Sequence, residues 1–225
     1  MNHIAVFARW PAPGRVKTRL SPALPESPAC DLYRGMLGDA LAAAAKVEAD
    51  TRTLWWAGAP AGRAAFDVPA GFEVREQVGH DLGARLEHAC AEMLRRPGDR
   101  ALIIGADCPD LGASHLREAF ASLAAHALVL GPALDGGYTL IGLSRSAPEL
   151  FRGVAWGTAA VLEQTLERAL ALGLPVARLE PLADLDTPAD LVKWLSKTCV
   201  AGTGGATCTR SALAAIGLMP EPLVE

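Results

Sequence analysis

The sequence predicts an α/β fold in which a mixed, mostly parallel sheet carries helices on both faces. Strand-like apolar segments alternate with helical segments along most of the chain, as in sheets whose crossovers are helices. Residues 101–104 (Ala-Leu-Ile-Ile) contain no polar side chain, which is typical of a strand buried on both faces. Segments 127–130 and 138–143 are too close in sequence for a parallel crossover, so at least one antiparallel pair is expected.

The remaining elements follow from local patterns. Apolar runs predict strands, and segments rich in Ala and Leu at helical spacing predict helices. A helix over 81–96 ends at Pro97-Gly98, one over 158–172 ends at Gly173, and one over 188–196 begins with proline. The other predicted strands are 3–8, 53–57, 72–77 and 175–179, and the other predicted helices are 29–47 and 114–123.

Length and composition limit the class of protein. The 225 residues are 51% hydrophobic and carry a formal net charge of −4, which suits one sizeable domain and predicts no nucleic-acid partner. No apolar run is long enough to span a bilayer. The five cysteines form no Cys-x-x-Cys pair, which disfavours a zinc site. We expect a cytoplasmic protein without a membrane partner.

The chain is expected to divide at residue 197. Residues 1–197 contain the α/β pattern, and residues 198–225 are predicted to be a linker and a short helix. The linker is rich in Gly and Thr, whereas Leu213, Ile216 and Met219 recur at helical spacing. A helix this short is marginal alone, so it should dock on the core or on a second copy of the chain; whether the protein is a homo-oligomer is left open.

The loop after the first strand has the composition of a phosphate site. Its cations are Arg9, Arg15, Lys17 and Arg19, and Gly14 and Thr18 lie among them. Clustered cations beside exposed backbone N–H groups bind phosphates, although a solvated basic loop has the same composition. The loop lacks both the Walker pattern and the dinucleotide fingerprint.

A cation site is predicted at the same edge of the sheet. Asp107 follows the apolar strand 101–104, and ligands of open α/β sheets bind outside the carboxyl ends of the strands. Asp107 is either a capping residue or a ligand of Mg²⁺ or Mn²⁺. Asp184 and Asp186, in a later loop, could complete a metal site with it.

Two further segments have alternative interpretations. Gly136 and Gly137 lie between Asp135 and Tyr138, where they form either a turn or a close approach to a ligand. Trp156 is either a core residue or a ring that stacks on a sugar or another acceptor.

Together these motifs resemble a bacterial family of small transferases with the glycosyltransferase-A fold. The motifs are Ala-Pro-x-Pro-Gly-x-x-Lys-Thr-Arg-Leu, Asp-Leu-Gly-x-Arg, Gly-x-Asp-Cys-Pro-Asp-Leu, Gly-Pro-Ala-x-Asp-Gly-Gly-Tyr, Trp-Gly-Thr and Asp-x-Asp-Thr-Pro-x-Asp-Leu, in order over residues 1–196. The family includes glycosyltransferases of arsenosugar biosynthesis and transferases associated with radical-SAM enzymes. The motifs are also similar to those of 2-phospholactate and molybdopterin guanylyltransferases. One departure is Arg9-Trp10, where the family has Lys and a small residue.

The resemblance implies roles for some of these residues. Asp107 and Asp186 would hold Mg²⁺ or Mn²⁺. The phosphates of the nucleotide would contact Arg9, Gly14, Lys17 and Arg19, and its base would contact Gln77 and Gly83. From the motifs themselves we also expect Arg15 and Thr18 to bind the nucleotide, Asp107, Lys17 and Asp135 to be catalytic, and Gly136, Gly137, Tyr138 and Trp156 to contact the acceptor.

The expected function is metal-dependent glycosyl transfer from a nucleotide diphosphate sugar to a small-molecule acceptor. One alternative is a guanylyltransferase-like nucleotidyltransferase, which releases pyrophosphate from an NTP. A second alternative is a non-catalytic nucleotide-binding domain.

Overall fold

The computed structural model describes residues 1–60, 66–201 and 205–219, without the side chains of 199–201. The described residues contain one sheet of seven strands and six α-helices. The strands are β1 (Asn2–Arg9), β2 (Thr51–Ala57), β3 (Phe72–Glu76), β4 (Arg100–Ile104), β5 (Leu128–Pro132), β6 (Tyr138–Leu143) and β7 (Val176–Arg178). The helices are α1 (Glu26–Ala45), α2 (Leu82–Met93), α3 (Ala113–Ser122), α4 (Val161–Ala171), α5 (Pro188–Ala201) and α6 (Thr207–Ala215).

The sheet is mixed and mostly parallel, as predicted. Its order is β3-β2-β1-β4-β6-β5-β7. β6 is antiparallel to both neighbours, β4 and β5, whereas the other paired strands are parallel. Because of these directions, the carboxyl ends of β1, β4 and β5 lie at the same edge of the sheet as the start of β6.

Helices cover both faces of the sheet, which explains the apolar strands. Alternate side chains of β4 point in opposite directions: Leu102 and Ile104 pack in a cluster with α1 and α3, and Ala101 and Ile103 pack in a cluster with α2. All four are almost fully buried. A strand that faces two apolar layers has no position at which a polar side chain could reach water.

The predicted start of α4 differs from the observed one for a clear physical reason. The sequence predicts its start at Thr158, but the helix begins at Val161. The Thr158 hydroxyl donates to the carbonyl of Ala155 and accepts the N–H of Ala160. The threonine therefore stabilises a turn that precedes the helix, because a short hydroxyl side chain can bond the nearby backbone in place of a helical turn.

The C-terminal part of the described chain packs on α1. α5 continues through Ala201, beyond the division expected at residue 197, and α6 spans 207–215 where 211–219 was predicted. Leu213 is fully buried in a cluster with Leu32 and Met36 of α1. Residues 202–204 and 220–225 of the predicted tail lie outside the described residues. None of the helices in the described ranges has both the length and the apolar character needed to cross a bilayer.

Replacing Asp39 with alanine should cost about 1 kcal/mol of stability, because this carboxylate caps α6. Its two oxygens accept the N–H groups of Cys208 (2.9 Å) and Thr209 (2.8 Å). Urea unfolding measures the loss. Asp31→Ala is the control on the same helix, since its pair with Arg34 is exposed and should contribute little. Equal losses in the two variants would contradict the capping role.

Candidate functional site

Three segments meet at the edge of the sheet where β1 and β4 end. They are the loop after β1, the loop after β4 that carries Asp107, and the segment 184–186 that precedes α5. β1 and β4 are parallel neighbours, so their following loops are adjacent. The N–H of Leu185 donates to the carbonyl of Asp107 at 2.9 Å, which ties the third segment to the second.

Lys17 lies at the centre of these segments. Its backbone adopts the left-handed conformation (φ 50°, ψ 34°) immediately before a short 3₁₀ helix, Thr18–Leu20, and its side chain is only 2% exposed. The ammonium lies 2.6 Å from one oxygen of Asp107 and 2.6 Å from one oxygen of Asp186. Burial alone would lower the pKa of Lys17, but the two carboxylates outweigh burial and raise the pKa above its ordinary value.

Asp107 and Asp186 therefore face the same point, although 79 positions separate them in the chain. Since each contributes an oxygen 2.6 Å from the same nitrogen, these two oxygens lie within about 5.2 Å of each other. Both side chains remain open to solvent, with exposures of 49% and 37%. Among the described residues, no group of three or more His, Cys, Asp or Glu side chains is arranged to hold a metal ion.

Asp184 adds negative charge beside this pair. Burial, followed by the charges of Asp107 and Asp135, raises the pKa of Asp184 to about 7. Asp184 is a predicted candidate for completing the metal site, and it lies close enough to Asp107 for the two charges to interact.

A first cavity of about 440 Å³ opens onto Lys17. It lies over the carboxyl ends of β1 and β4 and contains both carboxylates of the Lys17 pair. Basic side chains from three elements converge on it: Arg9, Lys17, Arg19 and Arg85. The Arg19 side chain is 68% exposed and reaches Asp186 only at 3.5 Å, so its donors remain accessible to a ligand.

Arg85 was not among the predicted site residues, although the sequence contains a signal for it. It is the last residue of the motif Asp-Leu-Gly-x-Arg. Asp81 caps α2 by accepting the N–H of Ala84 at 2.7 Å, which fixes the start of the helix. Arg85, within the first turn, then lines the first cavity.

Gln77 also lines the first cavity, just after β3. Its side-chain amide donates to the carbonyl of Trp55 at 2.9 Å and, more weakly, to that of Ala8 at 3.4 Å. The amide nitrogen thus joins the ends of β1 and β2. That Gln77 reads a base stays a prediction, and only the amide oxygen is left to do so.

A second cavity, also of about 440 Å³, adjoins the first and shares four of its residues: Arg19, Leu82, Tyr138 and Asp186. Asp135, Gly137, Trp156 and Asp184 also line it. The rings of Tyr138 and Trp156 meet edge to face with centroids 6.4 Å apart. Most of the residues predicted to contact the acceptor therefore lie around one space, next to the predicted nucleotide residues.

Four predicted site residues lie outside the linings of the two cavities. Gly14 and Arg15 are exposed in the loop after β1. A Cβ at Gly83 would lie 2.4 Å from the indole nitrogen of Trp156, and one at Gly136 would lie 2.2 Å from the carbonyl oxygen of Ala159. Gly83 and Gly136 thus allow close packing behind the second cavity.

Residues remote from both cavities hold the segments in place. The indole N–H of Trp194 and the ammonium of Lys197, both on α5, bond the two carboxylate oxygens of Asp110 at 3.0 and 2.7 Å. Leu20 follows Arg19 in the chain, and Leu185 lies between Asp184 and Asp186. Both leucines are buried in the cluster that contains Leu213 of α6. These contacts join positions far apart in the chain and leave no local sequence pattern from which they could be predicted.

Comparison with solved structures confirms the predicted fold class. The protein from Desulfovibrio desulfuricans G20 that is provisionally named a nucleotide-diphospho-sugar transferase superposes with a TM-score of 0.86 at 30% identity, and the match covers 95% of this chain and 94% of that one. Rv0371c from Mycobacterium tuberculosis H37Rv, solved in complex with manganese, has a TM-score of 0.56 at 22% identity over 87% of this chain and 98% of its own.

A nucleotidyltransferase structure shares the fold at lower identity. CMP:2-keto-3-deoxy-manno-octonic acid synthetase, solved with CTP, gives a TM-score of 0.51 at 11% identity over 88% of this chain and 98% of its own. None of the curated proteins matches the chain in sequence.

The sequence matches one protein family over residues 40–158, slightly more than half of the chain. This segment includes α2, β4 with Asp107, and the Asp135-Gly-Gly-Tyr138 turn. The chain therefore belongs to the DUF2064 family, described as uncharacterized proteins conserved in bacteria.

Proposed function

We propose that the protein is a metal-dependent transferase that binds a nucleotide diphosphate sugar in the first cavity and a small acceptor in the second. The observation that carries this proposal is the junction of the two cavities, where Lys17, Asp107 and Asp186 converge. A cation-lined space next to an acidic and aromatic one suits an anionic donor and a separate acceptor.

The phosphates of the donor would meet the basic side chains of the first cavity. Arg19 presents accessible guanidinium donors, and Arg9 and Arg85 line the same space. Guanidinium groups bind phosphate oxygens through paired hydrogen bonds. The names of the similar structures support this assignment, since one is a nucleotide-diphospho-sugar transferase by its provisional name and another was solved with CTP.

The donor set at Asp107 and Asp186 fits a divalent cation. Mg²⁺ is commonly bound through one or two carboxylates together with substrate phosphates, and the two aspartates already face one positive charge, that of Lys17. Asp107 and Asp186 would hold the ion, which would supply positive charge opposite the leaving diphosphate. The manganese complex of Rv0371c is consistent with this role.

In the proposed reaction, a hydroxyl or amine of the acceptor forms a bond to the anomeric carbon of the sugar. The bond from that carbon to the diphosphate oxygen breaks, and the oxygen keeps the electron pair. We assign the acceptor proton to the carboxylate of Asp135, which lines the second cavity. Lys17 and Arg19 stabilise the negative charge that develops on the leaving diphosphate. Stabilising this charge contributes more to catalysis than removing the acceptor proton.

Nucleotidyl transfer is the second candidate, favoured by the four cationic side chains of the first cavity. Four cations suit a triphosphate, which carries more charge than a diphosphate. The resemblance to glycosyltransferases of arsenosugar biosynthesis and to transferases associated with radical-SAM enzymes supports the first candidate, glycosyl transfer. It also suggests acceptors to test.

³¹P NMR distinguishes the candidates. The protein is incubated with Mg²⁺, or with Mn²⁺ that is chelated before the spectrum is recorded, and either an NTP panel or a nucleotide-sugar panel, each with a mixture of small hydroxylated and amino acceptors. Release of a nucleoside diphosphate from a nucleotide sugar supports the proposal. Release of pyrophosphate from an NTP supports the second candidate, and the absence of turnover with both panels would favour a non-catalytic nucleotide-binding domain.

Replacing Arg19 with alanine should weaken binding of a nucleoside diphosphate about tenfold, the equivalent of ~1.5 kcal/mol for one hydrogen bond to a charged group. Binding of the nucleoside alone should not change, because Arg19 meets phosphates. Arg15→Ala is the matched control, since this arginine belongs to the same loop but lies outside the cavity linings. Titration calorimetry that shows equal losses for nucleoside and diphosphate, or for the two variants, would contradict the assignment.

A further inference from the structure

We propose that the acceptor presents a neutral or positively charged hydroxylated or amino group to the second cavity, and that it carries no phosphate or carboxylate there. This inference rests on the proposed function, because it assumes that the second cavity is the acceptor cavity. It depends on how the charged side chains are distributed between the first and second cavities, which have equal volumes and share lining residues.

The charged side chains of the second cavity are mainly acidic. Asp135, Asp184 and Asp186 line it, and Arg19 is the single cation among the described residues of the lining. Arg19 lies 3.5 Å from Asp186 and so offsets that carboxylate. Asp135 and Asp184 have no ion-pair partner among the described residues. An anionic acceptor would therefore be repelled by the uncompensated carboxylate of Asp135.

The polar groups around the second cavity are mainly hydrogen-bond acceptors. One oxygen of Asp135 accepts the N–H of Gly137 at 3.0 Å, and its other oxygen accepts no hydrogen bond from the described residues. The Thr158 hydroxyl donates to the carbonyl of Ala155 at 2.8 Å and accepts the N–H of Ala160 at 3.3 Å, so it has no proton left to donate to an anionic ligand. Carboxylate and hydroxyl oxygens accept hydrogen bonds from hydroxyl or ammonium groups, whereas ionised phosphate and carboxylate groups have no proton to donate.

Two aromatic rings of the second cavity also favour neutral or cationic ligands over anions. Tyr138 and Trp156 meet at 90° on one side of the cavity. Rings of this kind pack on the apolar C–H faces of a polyol and attract cations through their π-faces. Neither interaction favours an anion.

The first cavity has the opposite character, which gives each substrate its own space. Four cationic side chains line it, against the two carboxylates that hold Lys17. A phosphorylated compound should therefore bind in the first cavity and compete with the nucleotide. The expected pattern is that neutral and cationic acceptors bind together with the nucleotide, and that phosphorylated analogues displace it.

The test compares matched compounds on the protein saturated with Mg²⁺, which is diamagnetic, and with the nucleoside diphosphate that binds best among ADP, CDP, GDP and UDP. The probes are glucose, ribose, glycerol and myo-inositol, their monophosphates, and glucosamine, each measured by saturation-transfer NMR. We expect signals from neutral or amino members of the panel that are at least about tenfold stronger than those of their phosphates, and their loss in Trp156→Ala. Asp135→Lys should reduce this preference, and Glu118→Gln, an exposed carboxylate of α3 outside both cavities, should leave it unchanged.

Each outcome supports or contradicts the inference. Signals from the phosphates as strong as or stronger than those of the parent compounds, the absence of a signal from every neutral and amino probe, or a preference that Asp135→Lys leaves unchanged would overturn it. The prior titration with nucleoside diphosphates separates the two proposals. If no nucleotide binds, the proposed function fails; if a nucleotide binds and phosphorylated acceptors still prevail, only the acceptor assignment fails.

Discussion

Replacing Asp107 and Asp186 together with asparagine should destabilise the protein by about 2–3 kcal/mol and abolish metal-dependent nucleotide binding. The double variant leaves the ammonium of Lys17, 2% exposed, without an anionic partner. Removing one side of a fully buried pair costs about 3–5 kcal/mol, and the partial exposure of the two aspartates reduces that cost. Urea unfolding and calorimetric titration with Mn²⁺ and nucleoside diphosphates measure the two effects.

The pH dependence of this loss has a definite sign. The folded state raises the pKa of Lys17 above its ordinary value of 10.5, so the stabilisation by the ion pairs is fully present below pH 10.5. It is lost only as the pH rises through the folded-state pKa. The stabilisation that the wild type gains from these ion pairs should thus be constant between about pH 8 and 10 and shrink at higher pH.

The single variants and an exposed aspartate are the controls. Asp107→Asn and Asp186→Asn each leave Lys17 one carboxylate and should cost less than half of the double substitution. Asp31→Asn removes only an exposed pair with Arg34 and should change stability by less than about 0.5 kcal/mol. A double variant as stable as the wild type would show that Lys17 does not depend on these carboxylates.

Replacing Gly136 with alanine should destabilise the protein by about 2–5 kcal/mol and impair acceptor binding. A Cβ at this position would lie 2.2 Å from the carbonyl oxygen of Ala159, and the backbone has φ +92°. The clash is with backbone, which cannot rotate away. Relief requires the segment before α4 to move, and that segment carries Gly157 and Thr158 of the second cavity. Thermal unfolding and saturation-transfer NMR with neutral acceptors measure the outcome.

Gly173→Ala is the matched control for this substitution. Gly173 follows α4 with φ +60°, but a Cβ there meets no atom within 4 Å. Its replacement should cost only the backbone strain of about 1–2 kcal/mol and leave acceptor binding unchanged. If the two variants lost the same stability, the contact with Ala159 would not be responsible for the effect at Gly136.

The sequence predicts the fold well because its strongest signals are periodic and local. The wholly apolar strand 101–104 matches β4, buried between two helical layers. The short connection before residue 138 predicts the antiparallel pairing of β6. The start of α4 was wrong by three residues because Thr158 has the residue type of a helix cap, and only the structure shows its hydroxyl bonded within the preceding turn.

The site was predictable in its location but not in its pairings. Parallel strands bring their carboxyl ends to one edge, so Lys17 and Asp107 could be placed there from the order of the strands. The ammonium of Lys17 also contacts Asp186. This second contact depends on the backbone hydrogen bond from Leu185 to Asp107 and on the burial of Leu20 and Leu185 against α5 and α6. These contacts join positions far apart in the chain, and no local pattern encodes them.

The central claim is that the junction of the two cavities binds a nucleoside diphosphate together with a divalent cation. Titration calorimetry of the wild-type protein with ADP, CDP, GDP and UDP, with and without Mn²⁺, tests this claim most directly. We predict that at least one nucleoside diphosphate binds in the presence of Mn²⁺ and at least about tenfold more weakly without it, and that Asp186→Asn removes this dependence. Absence of binding by all four nucleotides, or binding of equal affinity with and without Mn²⁺, would contradict it.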